Sequence, residues 1–266
     1  CNFCCVFRYL FNNFFYLFAC FVSKCVKLYV LHGNHPFYCY ALIIHDYNCN
    51  GIAKSINKSV IFHSDGVQAL GKIPVSLEGI DLATFSAHKI YGLKGSGLLY
   101  KQSKVQLKAQ ICGGQQEYGL RAGTSNAITN VMLAKTMRLA LENQPQKLNH
   151  VRELNKKLRN YFSTLDRCVI NSPQDSSPYI LNVSLLDYKP EVITHALEKK
   201  GIYISTKSAC STKKVSMART LQAMGVDEEV GNSALRISFS HMTTKEDIDY
   251  FIESLNEILN TIKKRG

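Results

Sequence analysis

Short apolar runs bounded by glycine and small polar residues alternate, over most of this chain, with longer stretches whose apolar positions recur every three or four residues. The first kind predicts buried strands and the second amphipathic helices. Ser59-Val60-Ile61-Phe62-His63 is expected to be a strand, followed at once by Asp65. Asp81-Leu82-Ala83-Thr84-Phe85-Ser86, bounded by Gly79 and the turn Ser86-Ala87-His88-Lys89, is expected to be another. From Asn126 to about Glu142, Ile128, Val131, Met132 and Leu139 fall near helical spacing, and Leu148 to about Phe162 reads as a second, lysine-rich helix. Strand-like Tyr179 to Ser184 follows, then a helix with Pro190 in its first turn, then strand-like Gly201 to Ser205. A helix from about Val215 ends at Gly225, and a strand carries Arg236. The final segment is the clearest helix. Thr243 with Glu246 spells a capping box, and Ile248, Phe251, Ile252, Leu255, Ile258, Leu259 and Ile262 repeat on one face, which reads as core.

This alternation predicts an α/β chain, and it makes two strand ends chemically interesting. Lys89 follows one apolar strand and Asp65 the other, and open α/β sheets bind ligands at the C-terminal ends of their strands. An amine and a carboxylate at neighbouring strand ends suit pyridoxal phosphate. The lysine holds the cofactor's aldehyde, and the carboxylate keeps the ring nitrogen protonated so that the ring accepts electrons. Gln68 is placed to bond the ring's phenolic oxygen, and Ser86 and His88 to donate to the phosphate or stack near it. A surface lysine and a turn-forming aspartate have the same spacing, so this pair alone leaves both readings open.

The order of motifs carries the reading further. His63-Ser64-Asp65-Gly66-Val67-Gln68-Ala69-Leu70-Gly71-Lys72 and Ser86-Ala87-His88-Lys89-Ile90-Tyr91-Gly92-Leu93-Lys94-Gly95-Ser96-Gly97 resemble the cofactor segments of cysteine desulfurases, fold-type I enzymes of the class V aminotransferase group. Arg121-Ala122-Gly123-Thr124 resembles the family loop whose threonine reaches the phosphate of the partner subunit's cofactor. Ser205-Thr206-Lys207-Ser208-Ala209-Cys210-Ser211 resembles the loop of the catalytic cysteine, and Ser233-Ala234-Leu235-Arg236-Ile237-Ser238 the strand whose arginine holds the substrate carboxylate. The resemblance covers about residue 51 to the C-terminus.

It implies a pyridoxal-dependent transferase of fold type I, with a mainly parallel sheet in an incomplete large domain and a smaller C-terminal α/β domain. It also implies conversion of L-cysteine to L-alanine with a persulfide on Cys210. Lys89 would be the catalytic base beside His88, Asp65, Gln68, Ser86 and Thr124 would hold the cofactor, and Arg236 would bind the substrate through a planar fork that lysine lacks. Lys207, Lys213 and Lys214 lie near Cys210 and favour its thiolate, the form that attacks sulfur. Expected partners are a sulfur-acceptor protein, in iron–sulfur assembly or tRNA thiolation, and a second copy of the chain in a homodimer. Two other readings stand beside this one: another class V enzyme such as a selenocysteine lyase, and a catalytically silent fragment.

Residues 1–50 follow a different statistic, with seven of the ten cysteines, fourteen of the twenty-seven aromatics and no acidic residue before Asp46. The domain reading is therefore an atypical segment 1–50, a partial cofactor domain 51–125, and connecting helices with the small domain over 126–266. The family's phosphate loop, ring-stacking histidine and asparagine are not matched in the first segment, which reads as a misplaced gene boundary or a targeting region. Its apolar stretch, Tyr9 to Val22, is interrupted by Asn12 and Asn13 and falls short of the roughly twenty residues of a membrane helix. Cys1, Cys4, Cys5, Cys20 and Cys25 with His32 and His35 lack paired zinc-ligand spacing, so no metal is expected.

Elsewhere only Cys112, Cys168 and Cys210 occur, which suits a reducing, cytoplasmic setting. A composition of 46% hydrophobic and 20% charged residues is ordinary for a globular chain. The net charge of +12 is spread along helices rather than clustered with aromatics, so direct nucleic-acid binding is not expected.

Overall fold

The structure, a computed structural model, describes residues 17–22, 25–30, 61–206 and 219–262. The chain divides into two units, Cys1–Gln144 and Pro145–Gly266.

In the first unit, strands β1 (Leu17–Val22) and β2 (Cys25–Val30) pair antiparallel. The end of the apolar stretch considered for a membrane helix is therefore extended, and among the described residues no helix is long and apolar enough to cross a membrane.

A second sheet has the order β3 (His63–Asp65), β4 (Leu82–Ser86), β5 (Gly97–Lys101). β3 sits two residues later than its apolar run suggests, so Asp65 ends the strand instead of following it; Ser59 and Val60 lie outside the described residues. β3 and β4 run parallel, with His63 opposite Leu82 and Asp65 opposite Thr84. β4 and β5 are antiparallel, with Ser86 opposite Gly97. The described part of the sheet thus holds one parallel and one antiparallel pair, for a reason of length. The 66–81 connection is long enough for a parallel crossover, whereas 87–96 permits only a reversal.

Register is anchored by Asp81, which is buried. Its Oδ2 accepts the Phe62 N–H at 2.9 Å, while the Phe62 carbonyl accepts N–H bonds from Asp81 and Leu82 at 3.1 Å each. Lys104 lies 3.4 Å from its other oxygen. A buried carboxylate needs such partners, and these fix the start of β3 against the start of β4.

Helix α1 (Ala127–Leu141) begins at Asn126, whose side chain accepts the Thr129 N–H. Its predicted stripe does not face the described core: Ile128 is 76% and Val131 67% exposed, and Met132 and Leu139 are exposed too. Met137 and Ala140 instead rest on Leu70, Ala83, Phe85 and Ile90.

The second unit starts with helix α2 (Gln144–Phe162), which buries Leu148, Val151, Leu154, Leu158 and Phe162 at helical spacing. An antiparallel sheet follows with β7 (Ile180–Leu185) between β6 (Cys168–Ile170) and β8 (Ala234–Ser238). Helix α3 (Pro190–Glu198) has Pro190 in its first turn, where a missing N–H is harmless. Gly201 to Ser205 contributes only a single bridge, Ser205 to Arg236, and not a full strand.

Helices α4 (Arg219–Ala223) and α5 (Glu228–Asn232) are short; the predicted start of α4 near Val215 lies outside the described residues. Helix α6 (Lys245–Thr261) buries Ile248, Phe251, Leu255 and Ile258. Its capping box is Thr244 with Asp247, one residue beyond the expected Thr243 with Glu246; Thr243 Oγ1 instead accepts the Ser240 N–H.

Candidate functional site

The site begins with the turn after β4. Ala87–Ile90 forms one 3-10 turn with Ala87 fully buried, His88 exposed and Lys89 half-buried. Ser86 precedes it and makes no side-chain cap bond. Tyr91 closes the turn at φ 68°. The chain then returns through Gly97, where a Cβ would stand 2.5 Å from the Phe85 carbonyl oxygen, so only glycine permits this approach. Lys89 is therefore held at the C-terminal end of β4 by backbone geometry that its neighbours impose.

Asp65 ends the adjacent parallel strand. Its Oδ1 accepts the Val67 N–H at 3.0 Å, and the chain turns at Gly66. A Cβ on Gly66 would lie 2.3 Å from the Phe85 ring, so this turn packs directly on the core of the sheet. The turn continues through hydrogen bonds from Ala69 and Leu70 N–H to the Gly66 carbonyl, which brings Gln68 round beside the strand end.

Lys72 Nζ donates to Gln68 Oε1 at 2.7 Å. Burial, with the Lys89 charge second, lowers the Lys72 pKa to about 8. His63 lies on the same strand face as Asp65, its Nε2 is 3.3 Å from Thr84 Oγ1, and burial lowers its pKa against the raising effect of Asp65. The pKa of His88 is also lowered, by desolvation first and then by Lys89 and Lys94.

Thr124 sits on an exposed loop of the same unit. Ile111 and Arg121 form a parallel bridge, Gln116 Oε1 accepts the Gly123 N–H at 3.2 Å, and Gly123 adopts φ +112°. Among the described residues no group of three or more His, Cys, Asp or Glu is placed to hold a metal.

In the second unit Arg236 lies on β8, opposite Asn182 of β7. On its other side it exchanges backbone bonds with Ser205, Arg236 N–H to Ser205 carbonyl at 2.6 Å and Ser205 N–H to Arg236 carbonyl at 3.1 Å. The side chain is half-buried, burial lowers its pKa, and its Nε, shielded from solvent, has no hydrogen-bond partner among the described residues. A buried guanidinium donor without an acceptor is costly unless a ligand supplies one. Ser205 also begins the segment toward Cys210, which lies outside the described residues.

The family model "Aminotransferase class-V" matches residues 47–251. The chain belongs to the class V aminotransferase family. The match begins close to residue 51, where the resemblance is expected to start.

A NifS/IcsS protein homolog of Lactobacillus delbrueckii subsp. bulgaricus is 38% identical over 77% of this chain and 55% of its own length. Cysteine desulfurase IscS of Clostridium botulinum is 36% identical over 76% of this chain and 52% of its own. Among solved structures, a NifS-like protein superposes with a TM-score of 0.71 at 37% identity, over 80% of this chain and 56% of that one. The X-ray structure of a NifS-like protein from Rickettsia africae gives 0.71 at 29% identity, over 80% and 57%. The chain spans about half the length of the curated relatives it matches.

In this class V chain, Asp65, Gln68, Ser86, His88 and Lys89 gather at one sheet edge of the first unit, Thr124 stands on a loop of that unit, and Arg236 belongs to the second. Sequence reasoning missed three contributors. Lys72 was legible as a basic residue four positions after Gln68, within the motif that carries Asp65. His63 was legible by its alternation with Asp65 on one strand face. Asp81 had no signal beyond an acidic residue opening an apolar run.

Proposed function

We propose that this chain holds pyridoxal 5'-phosphate and acts as a cysteine desulfurase, converting L-cysteine to L-alanine and taking the sulfur onto Cys210. The observation that supports this reading is the parallel register of β3 and β4, with Asp65 ending β3 and the turn that carries Lys89 following the same end of β4.

The side chains present suit that cofactor. Lys89 supplies the amine for its aldehyde, Asp65 a carboxylate for the ring nitrogen, and Gln68 an amide N–H for the phenolic oxygen. Ser86 and His88 supply donors for the phosphate. Thr124 serves the phosphate of the second subunit's cofactor in a homodimer. When bound, the cofactor provides an electron sink for the pair left as a proton leaves the substrate's α-carbon.

Lys89 Nζ would take that proton, and Asp65 would keep the ring nitrogen protonated. Arg236, whose Nε has no partner among the described residues, grips the substrate carboxylate. The Cys210 thiolate attacks the substrate sulfur. An S–S bond would form as the carbon–sulfur bond breaks, the electron pair would stay on the β-carbon, and protonation there with return of the α-proton would yield alanine. The persulfide then passes to a sulfur-acceptor protein, in iron–sulfur assembly or tRNA thiolation, in the cytoplasm. Relatives named cysteine desulfurase support the choice of substrate.

The full chain supplied with pyridoxal phosphate should show a visible absorption band that Lys89→Ala abolishes. With L-cysteine it should release alanine and gain 32 Da on the Cys210 peptide, the mass of one added sulfur. Alanine release that survives Cys210→Ala would remove the persulfide step, turnover confined to selenocysteine would select the lyase reading, and folded protein without a band would mark a silent fragment.

A further inference from the structure

We infer that Lys72 is a positioning residue that turns the Gln68 amide so that its NH2 group, and not its carbonyl, is offered to the cofactor. The inference rests on the cofactor reading above, and it begins with the turn that follows Asp65.

Hydrogen bonds from the N–H groups of Ala69 and Leu70 to the Gly66 carbonyl, and from Lys72 and Ile73 to the Ala69 carbonyl, wind residues 66–73 into two successive turns. These turns bring the Lys72 side chain back onto that of Gln68, where the two are hydrogen-bonded. Gly71 keeps the coil close to α1, with φ +72° and a Cβ position that would fall 2.7 Å from the Ala140 side chain. No bulkier residue fits there without strain, so the turn delivers Lys72 back toward the strand ends. Its position on the Lys89 side is visible in the electrostatics, since Lys89 acts on Lys72.

An ammonium group has donors and no acceptor, whereas a primary amide offers one oxygen and one NH2. The 2.7 Å contact from Lys72 Nζ to Gln68 Oε1 therefore decides which end of the amide faces which way. The oxygen is taken, and Nε2 with its two protons is what remains to be presented. An oxygen of the cofactor ring that carries negative charge requires that end. Without Lys72 the amide is free to rotate by half a turn, and a carbonyl facing that oxygen repels it.

Lys72→Met keeps the stem and removes the donor. In the cofactor-loaded full chain, cofactor dissociation should rise on the order of tenfold, as expected for a lost hydrogen bond to a charged group, and the pH midpoint of the visible band should move. Lys72→Arg should restore most of both. In a Gln68→Ala background Lys72→Met should add nothing, because the group it orients is gone.

Equal losses in the two backgrounds, or a band and retention unchanged in Lys72→Met, would overturn the inference. Should Lys72→Met not fold, Lys72→Gln runs the same comparison. A parent chain that shows no band overturns the cofactor reading and this inference together. A parent band lost in Lys89→Ala but untouched by Lys72→Met removes only the role of Lys72.

Discussion

Lys72 keeps its amine half-buried within reach of Lys89, and desolvation with that like charge brings its pKa from 10.5 down to about 8. Its proton is thus released from the native state near pH 8 and from the unfolded chain near pH 10.5. Between those values the unfolded state binds more protons, so stability rises with pH across this window. Below pH 8 both states are protonated and the cost of burying the charge is present in full. Urea titrations should show the parent gaining stability relative to Lys72→Met as pH is raised from 8 to 10.5, with no such gain below 8. A parallel pH dependence of the two proteins would refute the burial of this charge.

Asp81 shows the limit of residue-scale reading. In the sequence it merely opens an apolar run, yet its carboxylate bonds the Phe62 backbone and thereby sets Asp65 opposite Thr84. The signal is absent because its partner is a backbone N–H nineteen residues away, which no local pattern encodes.

At the scale of elements, period and punctuation were enough to find most helices and strands. Pro190 in the first turn of α3, Asn126 before α1 and the apolar face of α6 all lie where the pattern puts them. The cap of α6 shows how little separates two candidates. Thr243 and Thr244 are adjacent and both precede an acidic residue by three positions, but Thr243 is engaged by the Ser240 N–H, which leaves Thr244 and Asp247 to exchange bonds. Thr244→Ala should cost about 1 kcal/mol in a denaturant titration, with Thr244→Ser close to the parent. A loss confined to Thr243→Ala would reverse the assignment. The stripe on α1 is a different kind of failure. Periodicity shows that a helix has an apolar side, but burial needs a neighbour on that side, and the described core meets Met137 and Ala140.

For the molecule as a whole, the two units differ in how their helices are buried. α2 and α6 set several side chains fully into the second unit's core, among them Val151, Leu158 and Leu255. α1, in the first unit, buries none of its residues. Local opening is easiest where little apolar surface is lost from contact. Native-state hydrogen exchange should therefore release the amides of α1 well before those of α2 and α6. Protection of α1 equal to that of α6 would contradict it.

The strand that leads into Lys89, the strand that carries Arg236, the helix types, the α/β class and the family motifs were legible in residue order, because each rests on local spacing or on a contiguous string of residues. Tertiary structure alone decided the rest. It paired β3 with β4 in a parallel register, left the Nε of Arg236 without a partner among the described residues, brought Lys72 onto Gln68, and turned the α1 stripe away from the described core. These depend on which distant groups come into contact, and contact across a fold is set by packing and buried hydrogen bonds that no window of sequence contains.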